Sequence, residues 1–381
     1  MVATLSVELE TLNTDVGIVQ THYATWEEPL RLQSGAELAP ITLAYETYGT
    51  LNERRDNALL VMHALSGDAH AAGRHAPSDR KPGWWNDMIG SGRAFDTDQY
   101  FVLCVNVIGG CKGSTGPSSL NPATGRPYGS DFPVVTISDM VAAQVRLLDR
   151  LGIDTLRAVV GGSMGGMQAL DLVINYPERA KLAVLLATAA RHGAQQIAFN
   201  HIGRQAIMTD ANWRGGHYYD GPVPAAGLAA ARMVGHMTYL SEERLQWRFG
   251  RNLQTLEQPG FSLDPEFAVE SYLNYQGRSF VDRFDPNSYL YITRALDYFD
   301  AGAGYDSLIA AFERAQASFL IASFSSDWLY PPRESQTLAA AAQAAGRDVE
   351  YVELDSVLGH DAFLLEYERL TPWIADAIAS V

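Results

Sequence analysis

Six short apolar runs are spaced through the chain: ALLVMHA (58–64), YFVLCVNVIG (100–109), LRAVVG (156–161), LAVLLA (182–187), SFLIAS (318–323) and VEYVEL (349–354). Runs this short, apolar at nearly every position, suit strands covered on both faces rather than a half-solvated antiparallel sheet. The segments between them carry helical periodicity. One is predicted to start at a Ser138 cap, to share Val141, Val145 and Leu148 on one face and to stop at Gly152. Another begins just after Ser163 and ends by Tyr176, ahead of Pro177. Strands alternating with helices imply a mostly parallel, doubly wound α/β sheet with right-handed crossovers. Residues 29–49 alternate apolar and polar positions around Ser34-Gly35 and predict a β-hairpin ahead of it.

The alternation fails between 182–187 and 318–323. That interval shows helical periodicity and aromatic-rich stretches such as HYYDGP and NSYLYITRALDYF, with no strand pattern. It is too long for a loop in a compact domain. We expect a helical lid at 192–298, inserted into a core built from 1–191 and 299–381.

The net charge of -16 argues against nucleic acid or an anionic membrane as partner, since both reward Lys and Arg. Two cysteines, Cys104 and Cys111, are too few for a disulfide framework and are expected to be reduced. The N-terminal stretch MVATLSVELETLNTDVG is acidic and has no apolar segment of signal-peptide length. No window approaches the roughly 20 apolar residues of a membrane span. A soluble, cytoplasmic protein is expected, with no bound metal or cofactor.

Gly161-Gly162-Ser163-Met164-Gly165 fits G-x-S-x-G, with a strand before it and a helix after it. In that setting the serine occupies a strained turn, and its small neighbours let strand and helix pass closely enough to push the hydroxyl outward. The bland alternative is a packing turn. A serine needs a base, and the base an orienting carboxylate, in the chain order serine, acid, histidine. Asp327 falls just past one strand and His360 in the loop after the last, both at strand ends where open α/β sheets bind ligands. Asp355 and Asp361 are rival acids. His192, His201, His217 and His236 are rival bases, all in the lid, where a lone histidine is more often a surface or packing residue. An oxyanion hole would take backbone N–H groups from Met164 and from the loop VMHALSGDAH, with Leu65 as the second donor.

The stretches GGSMGGMQAL, HALSGDAHAAG, RMVGHMTYLS, GHDAFL and the long segment from Gly83 to Pro133 resemble the homoserine O-acyltransferases of the α/β-hydrolase superfamily, specifically the acetyltransferase branch, from about residue 15 to the end. The resemblance implies an α/β-hydrolase fold and ping-pong transfer of acetyl from acetyl-CoA, as co-substrate, through Ser163 to the hydroxyl of L-homoserine, feeding methionine synthesis. It implies that Arg232 holds the acceptor carboxylate and Asp361 its amino group, and that the protein is a homodimer joined through the lid. Tyr239, seven residues after Arg232, would share its helix face and line the pocket. The bland readings are a lid salt bridge for Arg232, a helix N-cap for Asp361 and lid packing for Tyr239. Succinyl-using relatives tend to carry arginine two residues after the acid; here that residue is Leu329, which favours acetyl. Serine as acceptor, succinyl as donor, water as acceptor in an esterase of the same fold, and a non-enzymatic role remain as alternatives. No phosphate-cradling motif marks a CoA groove, and Lys112 reads as a solvated lysine.

Overall fold

The computed structural model describes residues 16–381, so most of the acidic N-terminal stretch lies outside the described residues. Eight strands form one sheet: β1 (His22–Trp26), β2 (Ile41–Tyr48), β3 (Ala58–Met62), β4 (Phe101–Val105), β5 (Leu156–Gly162), β6 (Ala180–Leu186), β7 (Ser318–Phe324) and β8 (Val349–Leu354). Their order is β1-β2-β4-β3-β5-β6-β7-β8. The β1–β2 and β2–β4 pairs are antiparallel, and every pairing from β4 to β8 is parallel. Each apolar run read from the sequence became one of the parallel strands. The hairpin did not extend as expected. Only Leu30–Arg31 and Glu37–Leu38 pair around Ser34-Gly35, and the residues beyond them join the main sheet as β2.

The apolar runs are buried on both sides because successive residues enter different cores. Leu60, Met62, Leu103, Val159, Leu185 and Ile321 belong to one buried cluster. Their neighbours Leu59, Val61, Val102, Val160, Val184 and Leu320 belong to the other. Helices α1 (Ile137–Leu151) and α2 (Met164–Asn175) cover the first face. The N-cap of α1 is Thr136 in a capping box with Asp139, not Ser138 as expected. Ser138 instead ties α1 to α2, its hydroxyl donating to Asp171 at 2.5 Å. Gly152 ends α1 at φ 66, the left-handed conformation that favours glycine.

Between β6 and β7 the chain makes α3 (Ala194–Thr209), α4 (Ala225–Tyr239), α5 (Glu242–Phe249), α6 (Ala268–Val281), α7 (Pro286–Tyr298) and α8 (Leu308–Arg314). Only isolated bridges, and no strand, occur there among the described residues. One of these bridges pairs Arg191 with Asp300, and Ala301 N–H donates to Ala190 at 2.9 Å, so the excursion leaves and re-enters at one point. The chain closes through α9 (Pro332–Ala344), β8, the short α10 (Ala362–Leu365) and α11 (Tyr367–Ser380), whose Leu370, Ile374 and Ile378 fill the second core. No helix among the described residues is long and apolar enough to cross a membrane. Cys104 and Cys111 are both free thiols.

Candidate active site

Ser163 stands between β5 and α2 at φ 57, ψ −122, a strained conformation for a residue with a side chain. Close backbone passage requires it. A Cβ on Gly161 would sit 2.2 Å from the Gly165 carbonyl, and one on Gly165 would sit 2.0 Å from the Met62 oxygen of β3. Neither obstacle is a flexible side chain. We therefore expect Gly165→Ala to lower the unfolding free energy by about 3 kcal/mol or more, read from the urea midpoint. The turn is held by the Ser163 N–H, which donates to Leu186, and by the Ser163 carbonyl, which accepts from Gly166, Met167 and the Thr188 hydroxyl. The positive end of α2 lies against the serine and favours negative charge developing there.

Asp327 and His360 follow β7 and β8 and meet at the same rim of the sheet. His360 Nδ1 is 2.7 Å from Asp327 Oδ2, and both residues are almost wholly buried. Asp327 Oδ1 is fixed by the N–H groups of Leu329 at 3.0 Å and Tyr330 at 2.9 Å. Burial works against a charged imidazole. The charge and hydrogen bond of Asp327, with the Asp361 charge, outweigh it and raise the His360 pKa above the ordinary histidine value. The rival acid Asp355 is exposed and takes a hydrogen bond from Ser325 instead.

The serine joins this pair only by shared location. Among the described residues no hydrogen bond links the Ser163 hydroxyl to His360. Instead Ser163 lines a cavity of about 50 Å³ with Leu65, His192, Asn200, Tyr239, Leu329 and Tyr330. The rings of Tyr330 and Tyr239 stand 5.1 and 6.2 Å from that of His360.

The loop carrying Leu65 is tied to the elbow from behind. Gln168 of α2 donates to the His63 carbonyl at 3.1 Å, and His63 Nε2 accepts from Val107 N–H at 3.2 Å. Leu65 is half-buried on the cavity wall, and Met164 opens α2 immediately after the serine. Further along the same loop, His70 and His75 converge on the buried Glu46 carboxylate at 3.0 and 2.6 Å, with Thr21 and Tyr48 as further donors. Their hydrogen bonds hold Glu46 down to about 2 against the opposing effect of burial. The Glu46, His70 and His75 donor atoms are close enough to hold a metal ion, though every one of these contacts already satisfies the carboxylate. Nothing in the sequence spacing pointed to this cluster.

Arg232 and Tyr239 do share α4. The Arg232 guanidinium lies over the rings of Phe280 at 4.6 Å and Tyr239 at 5.4 Å, and Nη1 donates to the Ser66 hydroxyl at 3.3 Å. It has no ion pair among the described residues, and its Nε is buried without a partner. Asp361 occupies the N-cap position of α10, but its side chain makes no capping bond. Burial raises its pKa, although the charges of His360 and Arg232 pull it down. Thus neither the salt bridge nor the helix cap accounts for these two charges.

Of the lid histidines, His201 is exposed, His217 meets Ser130 at 3.1 Å and His236 meets Tyr272 at 3.0 Å. His236 is pushed down to about 3 by burial and by Arg232, Arg283 and Arg248. His192 departs from the sequence reading: it lines the cavity and lies 2.5 Å from the Tyr330 hydroxyl. The hint available was Tyr330 itself, three residues past the acid in DWLYPP.

The family described as alpha/beta hydrolase fold matches residues 57–367. The chain is 56% identical over 375 residues to a homoserine O-acetyltransferase of Solidesulfovibrio magneticus, covering 97% of this chain and 94% of that one. It is 54% identical over 342 residues to one of Rhodopseudomonas palustris, covering 89% and 85%. Among solved structures, homoserine O-acetyltransferase from Bacillus anthracis superposes with a TM-score of 0.89 at 30% identity, covering 95% of this chain and 98% of that one. Esterase E22 superposes with a TM-score of 0.87 at 30% identity, covering 95% and 100%. An elbow serine, a buried histidine–aspartate pair at the same rim and, among the described residues, no ion pair for Arg232 or Asp361 accompany these likenesses, and the chain belongs to the homoserine O-acetyltransferase family of the α/β hydrolase fold.

Proposed function

We propose that the protein transfers an acetyl group from acetyl-CoA to the hydroxyl of L-homoserine in two half-reactions. In the first, Ser163 Oγ attacks the thioester carbonyl, His360 takes the serine proton, and the proton leaves on the CoA sulfur. In the second, the homoserine hydroxyl attacks the acyl-enzyme, His360 takes its proton and returns it to Ser163 as the ester departs. Asp327 holds the imidazole through Nδ1, leaving Nε2 free to accept. The N–H groups of Met164 and Leu65 receive the charge that develops on the carbonyl oxygen. The product would feed methionine synthesis, in the cytoplasm.

The observation that carries transfer, rather than hydrolysis, is the pair of unpaired charges beside the base. Arg232 offers a planar fork to a carboxylate, and Asp361 offers a carboxylate to an ammonium. An amino-acid acceptor supplies both partners; water supplies neither. The likeness to esterase E22 keeps hydrolysis as the second reading. For the donor, Leu329 on the cavity wall and the cavity's size of about 50 Å³ favour acetyl over succinyl, whose charged tail would find no cation there. The homodimer would form through the helical insertion, which exposes Trp247, Phe261, Leu263 and Tyr275.

Measuring acyl transfer with homoserine and serine against acetyl-CoA and succinyl-CoA tests this reading. Homoserine with acetyl-CoA is expected to win. Release of CoA indifferent to homoserine would establish the esterase reading instead. In the same assay Arg232→Lys is expected to raise the homoserine KM by about tenfold, since a point charge replaces a bidentate fork.

A further inference from the structure

The turn that carries Leu65 is gripped from two sides, and only one of the grips belongs to the α/β core. Ala64 to Gly67 form a β-turn, closed by the Gly67 N–H donating to the Ala64 carbonyl at 2.9 Å. On the core side the His63 ring fixes the entrance to this turn. Its Nε2 accepts from Val107 N–H, so Nδ1 carries the proton and donates to the Ala64 carbonyl at 2.8 Å. Leu65 N–H itself makes no hydrogen bond among the described residues, which leaves it free for a developing oxyanion.

The other grip comes from the helical insertion. Arg283, in the connection between α6 and α7, donates through Nη1 to the Ser66 carbonyl at 3.0 Å. Its guanidinium lies 5.0 Å from the centre of the Phe280 ring, the same ring over which Arg232 lies. Two guanidiniums of the insertion thus meet one residue of the turn, Arg283 at its backbone and Arg232 at its hydroxyl. Their tasks differ. Arg232 keeps a buried Nε with no partner, whereas Arg283 is engaged on the turn and does not line the cavity that holds Ser163. A hydrogen bond from a charged donor is about twice as strong as a neutral one, so this contact is a firm hold on the Ser66 peptide. That peptide and the Leu65 N–H belong to one closed turn, and fixing the first fixes the direction of the second.

We propose that Arg283 is a positioning residue for the oxyanion hole: by holding the Ser66 carbonyl it keeps the Leu65 N–H aimed at the acyl oxygen in both half-reactions, and it touches neither substrate. The insertion then serves the chemistry as well as the acceptor, and the two arginines divide the work. Arg232 acts on what binds, and Arg283 on how fast the bound group reacts. This inference rests on the roles given above to Ser163 and Leu65.

The test is the single-turnover rate at which acetyl-CoA acetylates Ser163 of the full-length protein without homoserine, read by intact mass, beside the steady-state KM for homoserine. Arg283→Met keeps an unbranched stem against Phe280 and loses the donor. It is expected to acetylate about tenfold more slowly, part of what a missing oxyanion donor costs, with the homoserine KM within about twofold of native. Arg283→Lys keeps a cationic donor and is expected to recover to within about threefold of the native rate. Leu65→Pro removes the oxyanion donor itself, at a turn position that suits proline, and is expected to acetylate about 10²-fold more slowly. Acetylation of Arg283→Met at the native rate, with a raised homoserine KM or only a lowered melting temperature, would overturn the inference, as would equal slowing of the Met and Lys variants. If Leu65→Pro is slow while Arg283→Met is native, this inference alone fails. Native rates in both would remove Leu65 from the oxyanion hole, and a native protein that takes up no acetyl group would remove Ser163 as nucleophile.

Discussion

Ser163→Ala is expected to leave a folded protein that forms no acyl-enzyme and transfers acetyl on the order of 10⁵-fold more slowly. The effect is large because the proposed scheme carries the acyl group on the Ser163 oxygen, which alanine lacks. Thr188, just past the adjoining strand, spends its proton on the Ser163 carbonyl at 2.8 Å. The fold should not register the change. The backbone bonds of residue 163 to Leu186, Gly166 and Met167 need no side chain, and alanine bears the same strain at φ 57 that serine does. Intact-protein mass after exposure to acetyl-CoA reads the missing acetyl adduct, and circular dichroism reads the fold. Turnover within tenfold of native would remove Ser163 from the mechanism.

Asp327→Asn should cost about 10³- to 10⁴-fold in kcat for a different reason. Two backbone N–H groups, from Leu329 and Tyr330, point at Oδ1 and demand that an acceptor stay there. The new amide must therefore turn its NH₂ toward His360. Nδ1 then has to accept, the proton moves to Nε2, and the ring can no longer take a proton from an alcohol. The pH dependence gives an independent signature. In the native chain the Asp327 charge is the largest effect raising His360, against burial. The base is neutral only above its pKa, so native activity should fall as pH drops through a value above the ordinary imidazole range. Without that charge burial dominates, and the acid limb of kcat/KM should move to lower pH. A variant with a native limb position would show that Asp327 does not set the charge on the base.

What the sequence made legible followed from local rules. The parallel strands were visible because both faces of each run are buried, and the elbow because four glycines surround one serine. Chain order and strand ends singled out Asp327 and His360, which the structure brings together. Residues that matter through long-range contact were not visible in this way. Thr136 displaced Ser138 as the α1 cap because Asp139 completes a reciprocal box with it, two residues earlier. The hairpin at 29–49 stopped short because β2 gained longer ladders with β1 and β4 than with its sequence neighbour. His192 gave no local sign of facing the cavity, since its partners Asp297 and Tyr330 lie 105 and 138 residues away. The Glu46–His70–His75 cluster was hidden for the same reason.

The bridge between Arg191 and Asp300 separates two kinds of inheritance. Ser163 lies upstream of that clasp, Asp327 and His360 lie downstream, and β6 and β7 pair directly beneath it, so the strands that carry these three residues are registered by the sheet. Arg232 and Tyr239 lie within the clasped segment. Exchanging this single contiguous stretch would leave the sheet and the histidine–aspartate pair in place while replacing Arg232 and the cavity wall that His192, Asn200 and Tyr239 supply.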